Sequence, residues 1–137
     1  MILGAYLDTP YNFVLLVHIA AMFVAFAPTL SYPFGRATHS MRIHGTALAL
    51  GGLLGFGVSG MSKVGDELVF EVKDGWLATA VLVWIAMNGV LHALILPGEK
   101  AIAEGDETGG QKRLLGSQIM VGLLVVAVYL MVFKPGA

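Results

Sequence analysis

The sequence contains no cysteine and few charged residues. The absence of cysteine excludes disulfides, thiolate metal sites, iron–sulfur clusters and covalently attached c-type haem. Charged residues make up 12% of the 137 residues and the formal net charge is −1. Because there is no basic excess to attract phosphate groups, we expect no nucleic-acid partner.

Asp, Glu, Lys and Arg are absent from four long stretches, which cover residues 11–32, 43–61, 75–96 and 114–133. Each has about 20 residues, the length that a helix needs to cross about 30 Å of hydrocarbon. The hydrophobic fraction of 57% and the mean hydropathy of +0.81 also favour a membrane protein. The sequence therefore predicts an all-α fold, a four-transmembrane-helix bundle, with residues 1–137 as one domain.

The lack of charge within the spans also restricts function. Proton- and ion-coupled transporters usually keep an ionisable group near the bilayer midplane, and no span offers a carboxylate or a basic side chain. The chain shows no Ser/His/Asp set, no glycine-rich phosphate loop and no metal-hydrolase motif. We therefore expect a protein that is not an enzyme.

The loops give an orientation and some local structure. The side with both termini carries three basic residues and the opposite side carries five, namely Lys63, Lys73 and Lys134 against Arg36, Arg42, Lys100, Lys112 and Arg113. The positive-inside rule then predicts both termini outside the plasma membrane, with the first span retained after synthesis.

Two of the loops carry further local signals. Alternating residues at 68–73 indicate a short hairpin or an interfacial strand in the second loop. Pro97-Gly98 predicts the end of the third helix, and Gly109-Gly110 indicates a flexible approach to the fourth.

The second span is rich in glycine. Gly51 and Gly55 form a small-xxx-small pair, and Gly52 and Gly60 add further small positions. Such residues let helix backbones approach closely, which is how membrane helices gain packing contacts. The pattern predicts contact with a helix of the same chain or, alternatively, with a partner subunit.

Polar residues within the spans are few, and several share a depth. His44 begins the second span, Asn88 and His92 lie one turn apart on the third, and Ser117 and Gln118 lie near the start of the fourth. Polar groups in hydrocarbon usually face the bundle interior, where they satisfy one another. We expect an inner polar cluster that fixes the helix register.

A different interpretation of the same depth is ligation. Two neutral imidazoles on different helices can hold a b-type haem iron or a copper ion, and His44 and His92 are the best pair by depth. His18 lies in the outer half of the first span, about 10 Å from His92 along the bilayer normal, so it would suit a separate site. The scattered methionines are better explained as core filling.

The layout resembles an uncharacterised group of small bacterial four-helix integral membrane proteins (domain of unknown function 2269), with distant likeness to the copper-resistance D type. The matching features are LLVHIAAMFVAF with His18, the glycine-rich second span and the closing AVYLMVFKPG. The first helix lacks the Trp-x-Gly that often follows the histidine in such proteins. The resemblance implies a bacterial inner membrane and, for the copper-resistance type, metal handling at His18.

Two functions follow as expectations. The first is a non-catalytic accessory or assembly subunit of a larger membrane complex, such as a respiratory or photosynthetic electron-transport complex, with lipid and other membrane subunits as partners. The alternative is a membrane redox protein that binds b-type haem or copper through His44 and His92.

Overall fold

The protein is an all-α bundle of four membrane-length helices in a computed structural model, which describes residues 9–31, 41–64 and 66–135. Within these residues, four helical stretches are long and apolar enough to cross a bilayer. The elements are α1 (Thr9–Ser31), α2 (Met41–Met61), β1 (Lys63–Val64), β2 (Glu67–Leu68), α3 (Gly75–Val90), a π-helical turn (Leu91–Ile95), α4 (Leu96–Ala103) and α5 (Thr108–Phe133). The predicted fold class is confirmed. Tyr32, the expected last residue of the first span, lies outside the described residues.

Helices α1 and α2 form the first hairpin and meet along the glycine-rich face of α2. A Cβ added at Gly55 would lie 3.3 Å from Cε1 of His18, and one added at Gly51 would collide with the Met22 side chain. The small residues of α2 therefore admit side chains of α1 that a larger residue would exclude.

The third membrane helix continues past Pro97, so the predicted stop at Pro97-Gly98 is wrong. The backbone N–H of Leu96 donates to the carbonyl of Leu91, five residues earlier, which is the π-helical pattern. A proline ring normally clashes with the carbonyl four residues before it. The π turn widens the helix directly before Pro97, and α4 then carries the helix on to Ala103.

Helices α4 and α5 form a second, very tight hairpin. A Cβ added at Gly109 would lie 2.6 Å from the Gly98 carbonyl oxygen and 2.7 Å from the Ile102 nitrogen. The backbones of the two helices therefore touch at Gly98 and Gly109. Gly109 and Gly110 lie inside α5, and the expected flexible approach is wrong because the first of them is needed for this contact.

The loop between α2 and α3 contains a short antiparallel hairpin of β1 and β2. It lies earlier than the expected one, since β2 ends at Leu68 and residues 69–73 of the alternating pattern form no strand. Buried serines of α2 and its end fix it: the Ser59 hydroxyl donates to the Phe70 carbonyl at 2.7 Å, and the Phe70 N–H donates to the Ser62 hydroxyl at 3.1 Å. Phe70 packs edge-to-face on Trp76, and the Lys134 ammonium lies 4.2 Å from the Phe70 ring centroid. These contacts join the end of α5 to the loop between α2 and α3.

Candidate functional site

A largely apolar cleft of about 430 Å³ separates the α1–α2 hairpin from α3 and α5. All four membrane helices and the loop between α2 and α3 contribute to its wall. The lining residues include Leu15, His18, Met22, Phe26, Gly52, Gly55, Phe56, Ser59, Phe70, Trp76, Leu77, Ala80, Trp84, Met87, Leu124, Ala127 and Met131. Its volume lies in the range of small-molecule pockets, roughly 300–1,000 Å³.

The cleft opens on the lateral surface of the bundle, between α1 and α5. Ile19 and Phe23 on α1 and Val128 and Val132 on α5 line it and are also exposed. In a bilayer these residues face lipid chains, so this opening connects the cleft with the hydrocarbon.

His18 is the most informative polar residue of the cleft. Its Nδ1 lies 2.6 Å from the Gly51 carbonyl oxygen. Because a carbonyl only accepts, Nδ1 carries the hydrogen and donates it, which leaves Nε2 of the neutral ring as an acceptor. A Cβ added at Gly55 would lie 3.3 Å from Cε1 and 3.6 Å from Nδ1 of this ring, whereas Nε2 is not among the atoms within 4 Å of it.

The other polar groups of the cleft are mostly engaged. The Trp84 indole N–H donates to the Leu48 carbonyl at 3.0 Å, and this bond joins α3 to α2. The Ser59 hydroxyl donates to the Phe70 carbonyl in the loop between α2 and α3. The Trp76 side chain is buried, and its indole N–H has no hydrogen-bond partner within the described part of the chain.

A buried polar cluster lies at the other end of the bundle. Arg113, at the start of α5, forms an ion pair with Glu99 of α4, and the two side chains are only 4% and 19% exposed. His44, near the start of α2, is also buried, with 2% of its surface exposed. Ser117, one turn further along α5, is also buried. This cluster joins α2, α4 and α5.

The structure does not bring His44 and His92 into one buried site. His44 points into the bundle, whereas His92 is exposed on the surface of the π turn. The preceding residue, Leu91, is the one that faces α2, since a Cβ at Gly45 would lie 3.4 Å from its side chain. Within the described residues there is also no group of three or more His, Cys, Asp or Glu that could hold a metal. Haem or copper binding by this pair stays a prediction, without support from the geometry.

The other members of the expected inner cluster separate in the same way. The Asn88 amide donates to the Trp84 carbonyl of its own helix at 2.8 Å. Gln118 is exposed, like His92, while Ser117 is buried. The observed cluster thus shares only His44 and Ser117 with the expected one.

The four glycines singled out for helix packing also differ from one another. Gly51 and Gly55 face α1 and Gly52 faces Trp84 of α3, so these three contact helices of the same chain. A Cβ at Gly60 would meet nothing within 4 Å among the described residues. The face of Gly51 and Gly55 is therefore occupied by α1 and offers no free surface to a partner subunit.

The sequence did not predict the ion pair of Glu99 and Arg113, because both residues lie outside the four apolar runs. The signal that could have found them is their position beside glycines: Glu99 follows Gly98, and Arg113 lies one turn after Gly109. A close helix crossing at two glycines brings the neighbouring charged side chains together.

Comparisons with protein-family models, with known proteins and with solved structures gave no match to this chain. The resemblance described from the sequence therefore stays a prediction.

Proposed function

We propose that the protein is a non-catalytic accessory or assembly subunit of a larger membrane complex. The observation that supports this proposal is the exposure of two polar side chains, His92 and Gln118, within membrane-spanning helices. A polar group facing hydrocarbon is unfavourable, and in membrane proteins such groups usually meet a polar partner. A neighbouring subunit supplies that partner.

The depth of the two residues follows from the helix contacts. Gly98 lies against the Arg113 backbone, and Gly116 lies against Ile95, which aligns the two antiparallel helices. Counting along each helix places His92 and Gln118 within about one residue, or ~1.5 Å, of the same depth. His92 lies four residues before the end of the apolar run 75–96, and Gln118 lies four residues after the start of the run 114–133, so both lie within the apolar runs, about 6 Å from their ends.

The surroundings of these residues suit a helix of another subunit. Gly89 and Gly122 lie one turn from His92 and Gln118 and are exposed, and a Cβ added at either would meet no atom of the described residues within 4 Å. Small residues beside a hydrogen-bonding side chain are the usual composition of helix–helix interfaces in membranes.

The class of complex and the membrane belong to the same proposal. We place the protein in the bacterial plasma membrane, with both termini outside, as a subunit of a respiratory or photosynthetic electron-transport complex. The basic residues of the α4–α5 end support this orientation. Arg36 lies outside the described residues, and Arg113 is neutralised by Glu99.

The test is purification of the tagged protein from native membranes in mild detergent, with an absorption spectrum of the eluate. We expect other membrane subunits to co-elute in a fixed ratio. His92→Leu and Gln118→Leu should each weaken the association by about 0.6–2 kcal/mol, the range for hydrogen bonds between membrane helices. Leu53→Ala, at an exposed apolar position of α2, is the matched control and should leave the ratio unchanged.

Elution of the wild-type protein as a lone monomer would contradict the proposal. A Soret band in that lone protein that is lost in both His44→Ala and His92→Ala would favour the haem alternative instead. Elution as a dimer of this chain would show that His92 and Gln118 serve self-association and would also contradict an accessory role.

A further inference from the structure

We propose that the cleft binds an elongated apolar alcohol, such as an isoprenoid alcohol, whose hydroxyl donates a hydrogen bond to Nε2 of His18. The inference is independent of the accessory role, because it concerns the interior of the chain and not its outer surface. It is based on two observations: the cavity has the size of a small-molecule pocket, and His18, whose Nδ1 is bonded to the Gly51 carbonyl, lines it.

The hydrogen-bond acceptor in this proposal is Nε2 of His18. The bond from Nδ1 to the Gly51 carbonyl fixes both the tautomer and the orientation of the His18 ring. Nε2 then carries a lone pair, and within the described residues it has no hydrogen-bond partner. His18 is only partly buried and lines an apolar cleft, so a ligand hydroxyl in that cleft would give Nε2 a hydrogen-bond partner that the apolar wall does not.

The shape of the cleft favours an elongated ligand. Trp76 begins α3 and Trp84 lies two turns deeper, and both line the cavity, which therefore extends about 12 Å along the helix axes. Its wall between these residues consists of Leu, Ala, Val, Phe and Met side chains. A long, narrow and apolar body fits such a wall better than a compact polar molecule does.

The chemistry of the donor set separates an alcohol from a metal ion. A metal site needs several ligands, and the described residues contain no cluster of three or more His, Cys, Asp or Glu. One imidazole is sufficient for a single hydrogen bond. The opening between α1 and α5 leads to lipid, so the ligand is one that partitions into the bilayer.

The two tryptophans of the chain are Trp76 and Trp84, and both line the cleft, so intrinsic fluorescence reports its occupancy. We would titrate the full chain in nanodiscs with all-trans-retinol and follow energy transfer from tryptophan to the polyene. Retinyl methyl ether is the matched probe because it has nearly the same shape but no hydroxyl hydrogen to donate. Non-absorbing farnesol should compete with either probe.

We expect retinol to bind about fivefold to tenfold more tightly than the ether, the effect of one hydrogen bond. His18→Phe should remove this preference and leave the affinity for the ether unchanged. Ala127→Phe, which fills the cleft, should abolish binding of both probes, whereas Leu53→Ala, outside it, should change neither affinity.

Equal affinities of the wild-type protein for retinol and its ether would overturn the proposal. So would a preference that persists in His18→Phe, or binding that survives in Ala127→Phe. If a variant fails to fold, the comparison of the two probes on the wild-type protein, repeated as competition by farnesol and farnesyl methyl ether, still decides the question.

Discussion

The two halves of the bundle are built on opposite principles. At the α4–α5 end, backbones touch at Gly98 and Gly109, and a buried ion pair joins Arg113 to Glu99. In the half nearer the second loop, the hairpins separate around an apolar cleft of about 430 Å³. The first half is close-packed and polar inside, and the second is open and apolar.

This difference indicates a division of roles within one small chain. Close backbone contact at Gly98 and Gly109 and the buried ion pair define a single arrangement of α4 and α5, because both are lost if these two helices shift. None of the four residues that form these contacts lines the cleft. Substitutions at the two ends should therefore differ in cost, and the predictions below test that difference.

The largest effect is expected from breaking the buried ion pair. Arg113→Met removes the partner of Glu99 and should lower the free energy of unfolding by about 3–5 kcal/mol, measured by helix loss on titration of the detergent-solubilised protein with SDS. The exposed pair of Lys100 and Glu104, 3.9 Å apart, provides the control. Lys100→Met should cost less than about 1 kcal/mol.

The double variant Glu99→Gln/Arg113→Met decides whether the effect comes from the pair. It removes both charges, so it should recover most of the stability that Arg113→Met loses. If the double variant is as unstable as Arg113→Met alone, the loss comes from packing of the arginine side chain, and the contrast between the two ends would not rest on electrostatics.

The sequence predicted the number, type and approximate position of the helices because each span is a continuous apolar run, which needs no tertiary information to recognise. It failed at Pro97, since the π turn at Leu91–Ile95, directly before the proline, makes room for its ring. It also failed for His92, because depth along a helix can be counted from sequence, whereas the direction of a side chain depends on which neighbours surround the helix. His44 and His92 share a depth and face different environments.

A smaller effect is expected from adding a methyl group at the glycine crossing. In Gly109→Ala the new Cβ meets backbone atoms of Gly98 and Ile102 that cannot rotate away, so overpacking should cost about 1–3 kcal/mol. Gly55→Ala is the matched change in the open half, where the nearest atom belongs to the His18 ring at 3.3 Å. The higher helix propensity of alanine, worth about 1 kcal/mol, should offset most of its cost.

The same SDS titration measures both glycine variants. A Gly55→Ala variant that is less stable than Gly109→Ala would reverse the expected order of the two halves. At Gly60 an added Cβ meets no atom of the described residues within 4 Å. Gly60→Ala should therefore be neutral or slightly stabilising, and it measures the effect of helix propensity without any change in packing.

The smallest effect concerns the turn that leads into the tight half. The Thr108 backbone N–H and hydroxyl both donate to the Asp106 carboxylate, at 2.9 and 2.8 Å, and these bonds lower the pKa of Asp106. A lowered pKa in the folded state means that the ionised carboxylate stabilises the fold above its unfolded pKa of about 3.9. This contribution is lost as the pH falls through the lower, folded value.

Asp106→Asn keeps a side-chain oxygen as an acceptor but cannot ionise. We expect the wild-type protein to be slightly more stable than Asp106→Asn at pH 7 and the difference to vanish at low pH, because the wild-type carboxylate is then protonated. Lys73 and Glu71 form an exposed ion pair at 2.9 Å near the open half, with the pKa of Lys73 raised chiefly by its hydrogen bond to Glu71. Lys73→Met therefore serves as the control, since removal of this exposed charge near the open half should have only a small effect on stability at pH 7. If Asp106→Asn shows the same difference from the wild type at every pH, the turn is held by its backbone geometry and not by the carboxylate charge.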